Sequence, residues 1–350
     1  MPAQPTKLRI KSPALLVAES GADREGHGLK RTMGLFQLIC FGIGAIVGTG
    51  IFVGLSDSVA QAGPAVVVSF VLAAITCVFT AFSFAELGGA IPVSGSSYSF
   101  AYAGLGESTA FLVGWCLLLE YGISISAVAV GWSQYVNELL RSLTGWQLPA
   151  ALSAGPGGNG IVNLPAVIVI AMASVLLVRG VRESARATAA MAAVKLVILV
   201  AFCAIGYSAF KDGNLTPFSP AGLGGIGAGT TAAFFSYIGF DAASTAGEEA
   251  KNAQRDLPRA IMLSLVIVTV LYVLVAAVAV GARPWRTFTD SEASLAQIMT
   301  DVTGQDFWGT LLAFCAVVAI AIFSFYYKHL RAHDTCYNSW WRGRGGRGWG

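Results

Sequence analysis

Main-chain groups carry more of the possible chemistry in this sequence than side chains do. Residues 41–52 read Phe-Gly-Ile-Gly-Ala-Ile-Val-Gly-Thr-Gly-Ile-Phe, with glycines at Gly42, Gly44, Gly48 and Gly50. Each glycine in a helix interior costs about 1 kcal/mol against alanine, so this density predicts an unwound stretch. Residues 234–241 read Phe-Phe-Ser-Tyr-Ile-Gly-Phe-Asp, placing Ser236, Gly239, Phe240 and Asp241 where an apolar helix should be most regular. A broken helix has unpaired carbonyls where its first half ends and unpaired N–H groups where its second half begins. The N–H groups and their positive dipole end suit a carboxylate, and the carbonyls suit an ammonium. One site holding both kinds of terminus is a receptor for the zwitterionic end of an amino acid.

The glycines have a second reading. Gly44-xxx-Gly48 and Gly50-xxx-Gly54 are also spacings at which two helix backbones pack closely. The pairing of interrupted first and sixth runs favours breaks, because transporters built from inverted repeats interrupt corresponding helices of their two halves. Asp241 is then expected to cap a second half-helix over 242–249 by accepting from its free amides.

The elements that must position these groups are membrane spans. The 350-residue chain is 55% hydrophobic and 12% charged, about half the charged fraction of a soluble domain. Runs long enough for a hydrocarbon layer about 30 Å thick lie at 32–56, 65–85, 109–137, 161–178, 187–210, 224–240, 261–281 and 307–327. Spanning backbone must satisfy its own hydrogen bonds, and the weak alternation of an outer-membrane barrel is missing, so the expectation is an all-α polytopic protein with about eight spans. Residues 1–31 form a polar tail too long and charged for a cleavable signal peptide. With that tail in the cytoplasm, the Lys and Arg residues gather on one side, leaving only Arg141, Lys211, Arg283 and Arg286 opposite and Lys195 within a span. This satisfies the positive-inside rule and explains the net charge of +3 without nucleic acid.

The motif string resembles the amino acid–polyamine–organocation permeases, specifically the cationic amino acid transporter branch with its bacterial members. It runs from Leu29-Lys-Arg-Thr-Met-Gly-Leu-Phe36 through residues 42–52, Ser83-Phe-Ala-Glu-Leu-Gly88, Pro92-Val-Ser-Gly-Ser-Ser-Tyr98 and Gly114-Trp-Cys-Leu-Leu-Leu-Glu-Tyr121. It ends with Gly239-Phe-Asp241, Glu248-Glu-Ala-Lys-Asn252 and Arg255-Asp-Leu-Pro-Arg259, covering roughly residues 29–325. The resemblance implies an inverted five-helix-repeat fold with helices 1 and 6 broken, and alternating access around a fixed midplane site. It implies a substrate carboxylate at the Gly48, Thr49 and Gly50 backbone and an α-amine at the carbonyls of Ile46, Phe235, Ser236 and Ile238, with Phe235 as part of a gate.

Two membrane charges have competing readings. Lys195 lies among Ala189, Ala190, Ala192 and Ala193, and it either snorkels to the inner interface or stays buried. The resemblance puts it where sodium-coupled relatives hold a sodium ion, tying the fifth helix to the broken first one, so that its titration would couple protons to transport. Glu120 is either a proton acceptor or partner of a cationic substrate, or a protonated carboxyl hydrogen-bonded to a neighbouring helix. Glu248 and Glu249 are read as a solvated cytoplasmic helix end.

Other signals are set aside. Residues 222–227 fit GxGxxG, yet follow prolines 217 and 220 in a loop where a dinucleotide fingerprint needs a strand. Asn214-Leu-Thr216 is a glycosylation sequon on the outer side. Five of the six cysteines sit in apolar runs without a CxxC pair, and His329 and His333 lack the HExxH glutamate, so no metal or cofactor is expected. Residues 328–350 are a basic Gly/Trp/Arg tail departing from the family pattern, which has ten to fourteen spans; it is read either as a frameshift or premature end after the eighth helix or as a basic, aromatic tail anchoring at the membrane interface.

The resulting expectation is a multi-pass plasma-membrane protein of the bacterial inner-membrane kind, with no enzymatic chemistry. It would carry amino acids, with arginine, lysine or ornithine suggested by the branch, by proton-coupled symport or by exchange (antiport). The competing expectation is an inactive fragment, or an amino-acid-binding membrane regulator that does not translocate.

Overall fold

A computed structural model describes residues 31–157, 160–179, 185–290 and 293–326, with 10, 12–14 and 16 ahead of them. The tail expected at 328–350, with its two histidines, lies outside the described residues, as does most of the tail at 1–31. Among the described residues the architecture is helical, and strand-type pairing is limited to an isolated parallel bridge between Met33 and Ala250. The all-α polytopic class read from composition holds.

The first apolar run is split into α1 (Leu35–Ile46), α2 (Thr49–Phe52) and α3 (Gly54–Ala62). It turns through Gly63–Ala65 into α4 (Val66–Ala90). Then come α5 (Ser96–Gly104), α6 (Glu107–Thr144), α7 (Ala150–Ser153), α8 (Leu164–Arg179) and α9 (Ala185–Gly206). The sixth run is divided into α10 (Gly222–Phe235) and α11 (Ala242–Thr245), followed by a 3₁₀ turn over Ala246–Glu248. The chain continues as α12 (Ala253–Ala282), α13 (Ser294–Thr303) and α14 (Asp306–Tyr326).

Among the described residues, four continuous helical stretches are long and apolar enough to cross a membrane: Gly54–Ala90, Glu107–Thr144, Ala189–Ala209 and Ala253–Ala282. Leu35–Ile46, Leu164–Val175 and Asp306–Ile320 are shorter apolar helices. The first and sixth runs fall short as single helices because both are interrupted. At 1.5 Å per residue, the 14 residues of α10 reach only about 21 Å of the roughly 30 Å needed.

Burial sorts the helices by role. Every residue of the first run from Cys40 to Gly48 is buried, because α9 and α12 both pack against α1 and α12 also packs along α4. The two-faced helices invert the soluble pattern. On α4, Ser69, Phe70, Ala73, Cys77 and Ala81 face inward, while Val71, Leu72, Ile75, Phe79 and Phe82 are exposed. An exposed stripe of large apolar residues is what a lipid-facing helix requires.

Candidate functional site

The first break begins where α1 ends at Ile46: Val47 turns extended (φ −74°, ψ 92°), and helix resumes at Thr49. Gly42 and Gly44, expected at the break, remain inside α1. Gly42 serves packing instead, since a Cβ there would stand 2.6 Å from the Ser264 hydroxyl on α12. Gly42 lies outside the two helix-packing spacings read from sequence; of the glycines in those spacings, Gly50 comes into close approach, against Ser236.

Three side chains take up carbonyls around this break. The Lys195 ammonium donates to Gly44 O (3.1 Å) and Val47 O (2.8 Å). Tyr272 Oη donates to Ile46 O (3.1 Å), and Tyr135 Oη to Phe52 O (2.8 Å). Lys195 is only 1% exposed, so it does not snorkel; charge-assisted bonds to carbonyls are what such burial requires.

The second break runs from Ser236 to Asp241 as consecutive turns, with Gly239 at φ +112°. That conformation is open to glycine and strained for other residues. The expected half-helix over 242–249 is one α turn followed by a 3₁₀ turn. Asp241 does not cap it: its backbone is already helical and its side chain makes no cap hydrogen bond. Its carboxylate instead accepts from Tyr121 Oη at 3.1 Å, with the residue 8% exposed. Phe240 is buried, its ring edge-on to Phe84 at 5.8 Å.

The two breaks meet directly. A Cβ on Gly50 would fall on the Ser236 backbone, and one on Gly239 would fall on the Ala45 carbonyl. Ser236 is 1% exposed, and its hydroxyl has no hydrogen-bond partner among the described residues. Beside this crossing lies an open cavity of about 640 Å³, lined by Val53, Gly54 and Asp57 of the first run, by mostly exposed residues of α6, and by Phe235 at the end of α10.

Apart from Gly42, which packs from within α1, the expected backbone-site residues and Lys195 lie around the two breaks. Glu120 is exposed on α6, beside Tyr121, and is not among the residues lining the cavity. Sequence reasoning missed the tyrosine hydroxyls and Asp57. Tyrosines within apolar runs were the available signal, since a buried phenol seeks an acceptor. Asp57 stands one residue past the expected first span. Glu248, read as solvated, accepts from both Ser94 N (2.9 Å) and Ser94 Oγ (2.7 Å).

A buried, twice-broken helix pair with a lysine locked onto one break and a cavity beside both defines a membrane permease build rather than an enzyme. The chain belongs to the amino acid permease family, whose model matches residues 33–330. It is 41% identical, over 89% of its length and 67% of the relative's, to a branched-chain amino acid permease of Bacillus subtilis (strain 168). It is 39% identical to a methylthioribose transporter of the same organism, over 85% of the chain and 65% of the relative. A chloroplastic cationic amino acid transporter 9 of Arabidopsis thaliana is 37% identical over 84% of the chain and 52% of the relative. The chain therefore spans about two thirds of the length of the bacterial relatives and about half of the plant one.

Proposed function

We propose that this chain carries amino acids across the plasma membrane by secondary transport, by proton-coupled symport or by exchange, with its N-terminus in the cytoplasm. The observation that carries the reading is the Lys195 ammonium bound to Gly44 O and Val47 O at the first break. Protonated, Lys195 ties α9 to α1 through charge-assisted bonds; without its proton the tie weakens. A proton and a substrate that both bias the same helix pair are thereby coupled.

The substrate headgroup binds between the breaks. Its carboxylate meets the amides of Gly48, Thr49 and Gly50, which lead the helical segment that resumes after Val47. Its amine meets the carbonyls of Ile46, Phe235, Ser236 and Ile238. The Ile46 carbonyl already takes the Tyr272 hydroxyl and has a second lone pair for the amine. Phe235, which lines the cavity, closes over the ligand. Glu120 serves as a second proton group, and the gathering of Lys and Arg on one side supports the orientation.

The test is uptake of labelled amino acids into liposomes containing the purified chain, with and without an inward proton gradient. Saturable uptake that responds to the gradient or to internal amino acid is expected. Substrate-induced thermal stabilisation without any uptake would mean a binding protein that does not translocate, and would overturn the transport reading.

A further inference from the structure

The cavity beside the two breaks has an apolar wall with one charge in it. Leu118, Gly122 and Ser126 recur one turn apart on α6 and line one side. Gly54 and Asp57, which share a face of α3, and Phe235 of α10 complete the lining. Its volume, about 640 Å³, is ample for an amino acid side chain. None of the described residues hydrogen-bonds Asp57 or pairs with its charge. Asp57 is exposed to this space and lies within the apolar stretch Gly54–Ala90, where a carboxylate is costly unless a cation meets it. Near the cavity's edge, the unpartnered Ser236 hydroxyl stands 3.5 Å from where a Gly54 Cβ would be. The space therefore adjoins unused polar capacity at the breaks and ends at a negative charge.

We infer that Asp57 is the residue that reads the substrate's side chain, selecting amino acids whose aliphatic stem ends in a cation. The inference rests on the headgroup site proposed between the breaks. From Gly50 to Asp57 the chain advances about 10 Å at helical rise, a separation suited to a long basic side chain reaching from a headgroup at the break. The stem lies along Leu118 and Phe235, the ammonium or guanidinium pairs with Asp57, and Ser126 offers its hydroxyl from α6. A branched-chain side chain fills the apolar part and leaves the carboxylate without a counter-charge.

The test is ligand-induced thermal stabilisation of the full chain in lipid nanodiscs, titrated with L-lysine and with L-leucine, for wild type, Asp57→Asn and Asp57→Glu. A charge-assisted pair supports an effect of about tenfold or more. Asp57→Asn should weaken lysine by that factor, leave leucine within about twofold, and be rescued for lysine by Asp57→Glu. Equal lysine affinity in wild type and Asp57→Asn overturns the inference, and so does parallel loss of both ligands. A wild type that binds leucine and ignores lysine overturns it too, while leaving the headgroup site standing. If neither amino acid stabilises the wild type, the headgroup reading fails and the role of Asp57 falls with it.

Discussion

The ammonium of Lys195 stands 2.8 Å from the carbonyl of Val47, the residue at which the first run leaves its helix. A helix break at membrane depth frees carbonyls that lipid cannot satisfy, and an unmet buried acceptor costs about 1–3 kcal/mol. Here the group that satisfies one of them is itself titratable, so the stability of the break and the protonation of the lysine are linked.

Replacing Lys195 by methionine tests that link. The variant keeps most of the stem packing and loses both donors, at about 1–3 kcal/mol per carbonyl left unmet, offset in part because a buried charge is also removed. The expected outcome is a folded, inserted protein with a modestly lower melting temperature and with uptake abolished or insensitive to pH. Wild-type uptake with unchanged pH dependence would remove Lys195 from the mechanism.

The glycines at the crossing make opposite predictions at neighbouring positions. A Cβ on Gly50 would collide with the Ser236 backbone, which has no flexible end to yield. Gly50→Ala should destabilise by about 1–3 kcal/mol or more through overpacking. A Cβ on Gly54 would stand 3.5 Å from Ser236 Oγ and 4.0 Å from Phe235 Cδ1, an ordinary contact. Gly54→Ala should keep wild-type stability while narrowing the cavity and weakening substrate-induced stabilisation. Equal melting temperatures for the two variants would show that the breaks are not in contact at Gly50.

These pairs also show what the sequence could and could not say. Long apolar runs are additive along the chain, so the all-α polytopic class could be read directly. The breaks at the first and sixth runs were legible because glycine and polar residues are costly in an apolar helix. Their exact start was not. Gly42, Gly44 and Gly48 look alike in sequence, and only the approach of Ser264 to Gly42 makes one a packing glycine. Asp241 beside a helix start looked like a cap, but its partner, Tyr121, lies 120 residues away. Local chemistry gives no sign of such a pairing. Glu248 looked solvated for the same reason, its donors lying on a distant loop.

The Tyr121–Asp241 bond should appear as coupling in a double-mutant cycle. Asp241 is buried, and a hydrogen bond to a charged group is worth about 1.5–3 kcal/mol. Tyr121→Phe and Asp241→Ala should each lower the melting temperature. The double variant should lose less than the sum, with a coupling energy of about 0.5–3 kcal/mol. Strict additivity would mean that the phenol and the carboxylate contribute independently.

Glu248 ties the second half of the sixth run to the segment following α4. One of its oxygens accepts from both the amide and the hydroxyl of Ser94, while Ser96 Oγ meets Ser244 Oγ at 2.8 Å one turn away. Backbone pairing of Met33 with Glu249 and Lys251 fixes the entrance of α1 to the same place. Glu248→Ala removes a shared acceptor and leaves two donors on a residue only 8% exposed, a cost of about 1–3 kcal/mol. Glu248→Gln keeps a carbonyl oxygen in that position and gives up only the charge, so it should recover about half or more of the loss. The measurement is thermal unfolding of wild type and the two variants in the same detergent. The order wild type, Gln, Ala is expected. If Ala matches wild type, Glu248 is the solvated helix end that its sequence suggests, and the Ser96–Ser244 contact ties the segment carrying Ser94 to the sixth run without it.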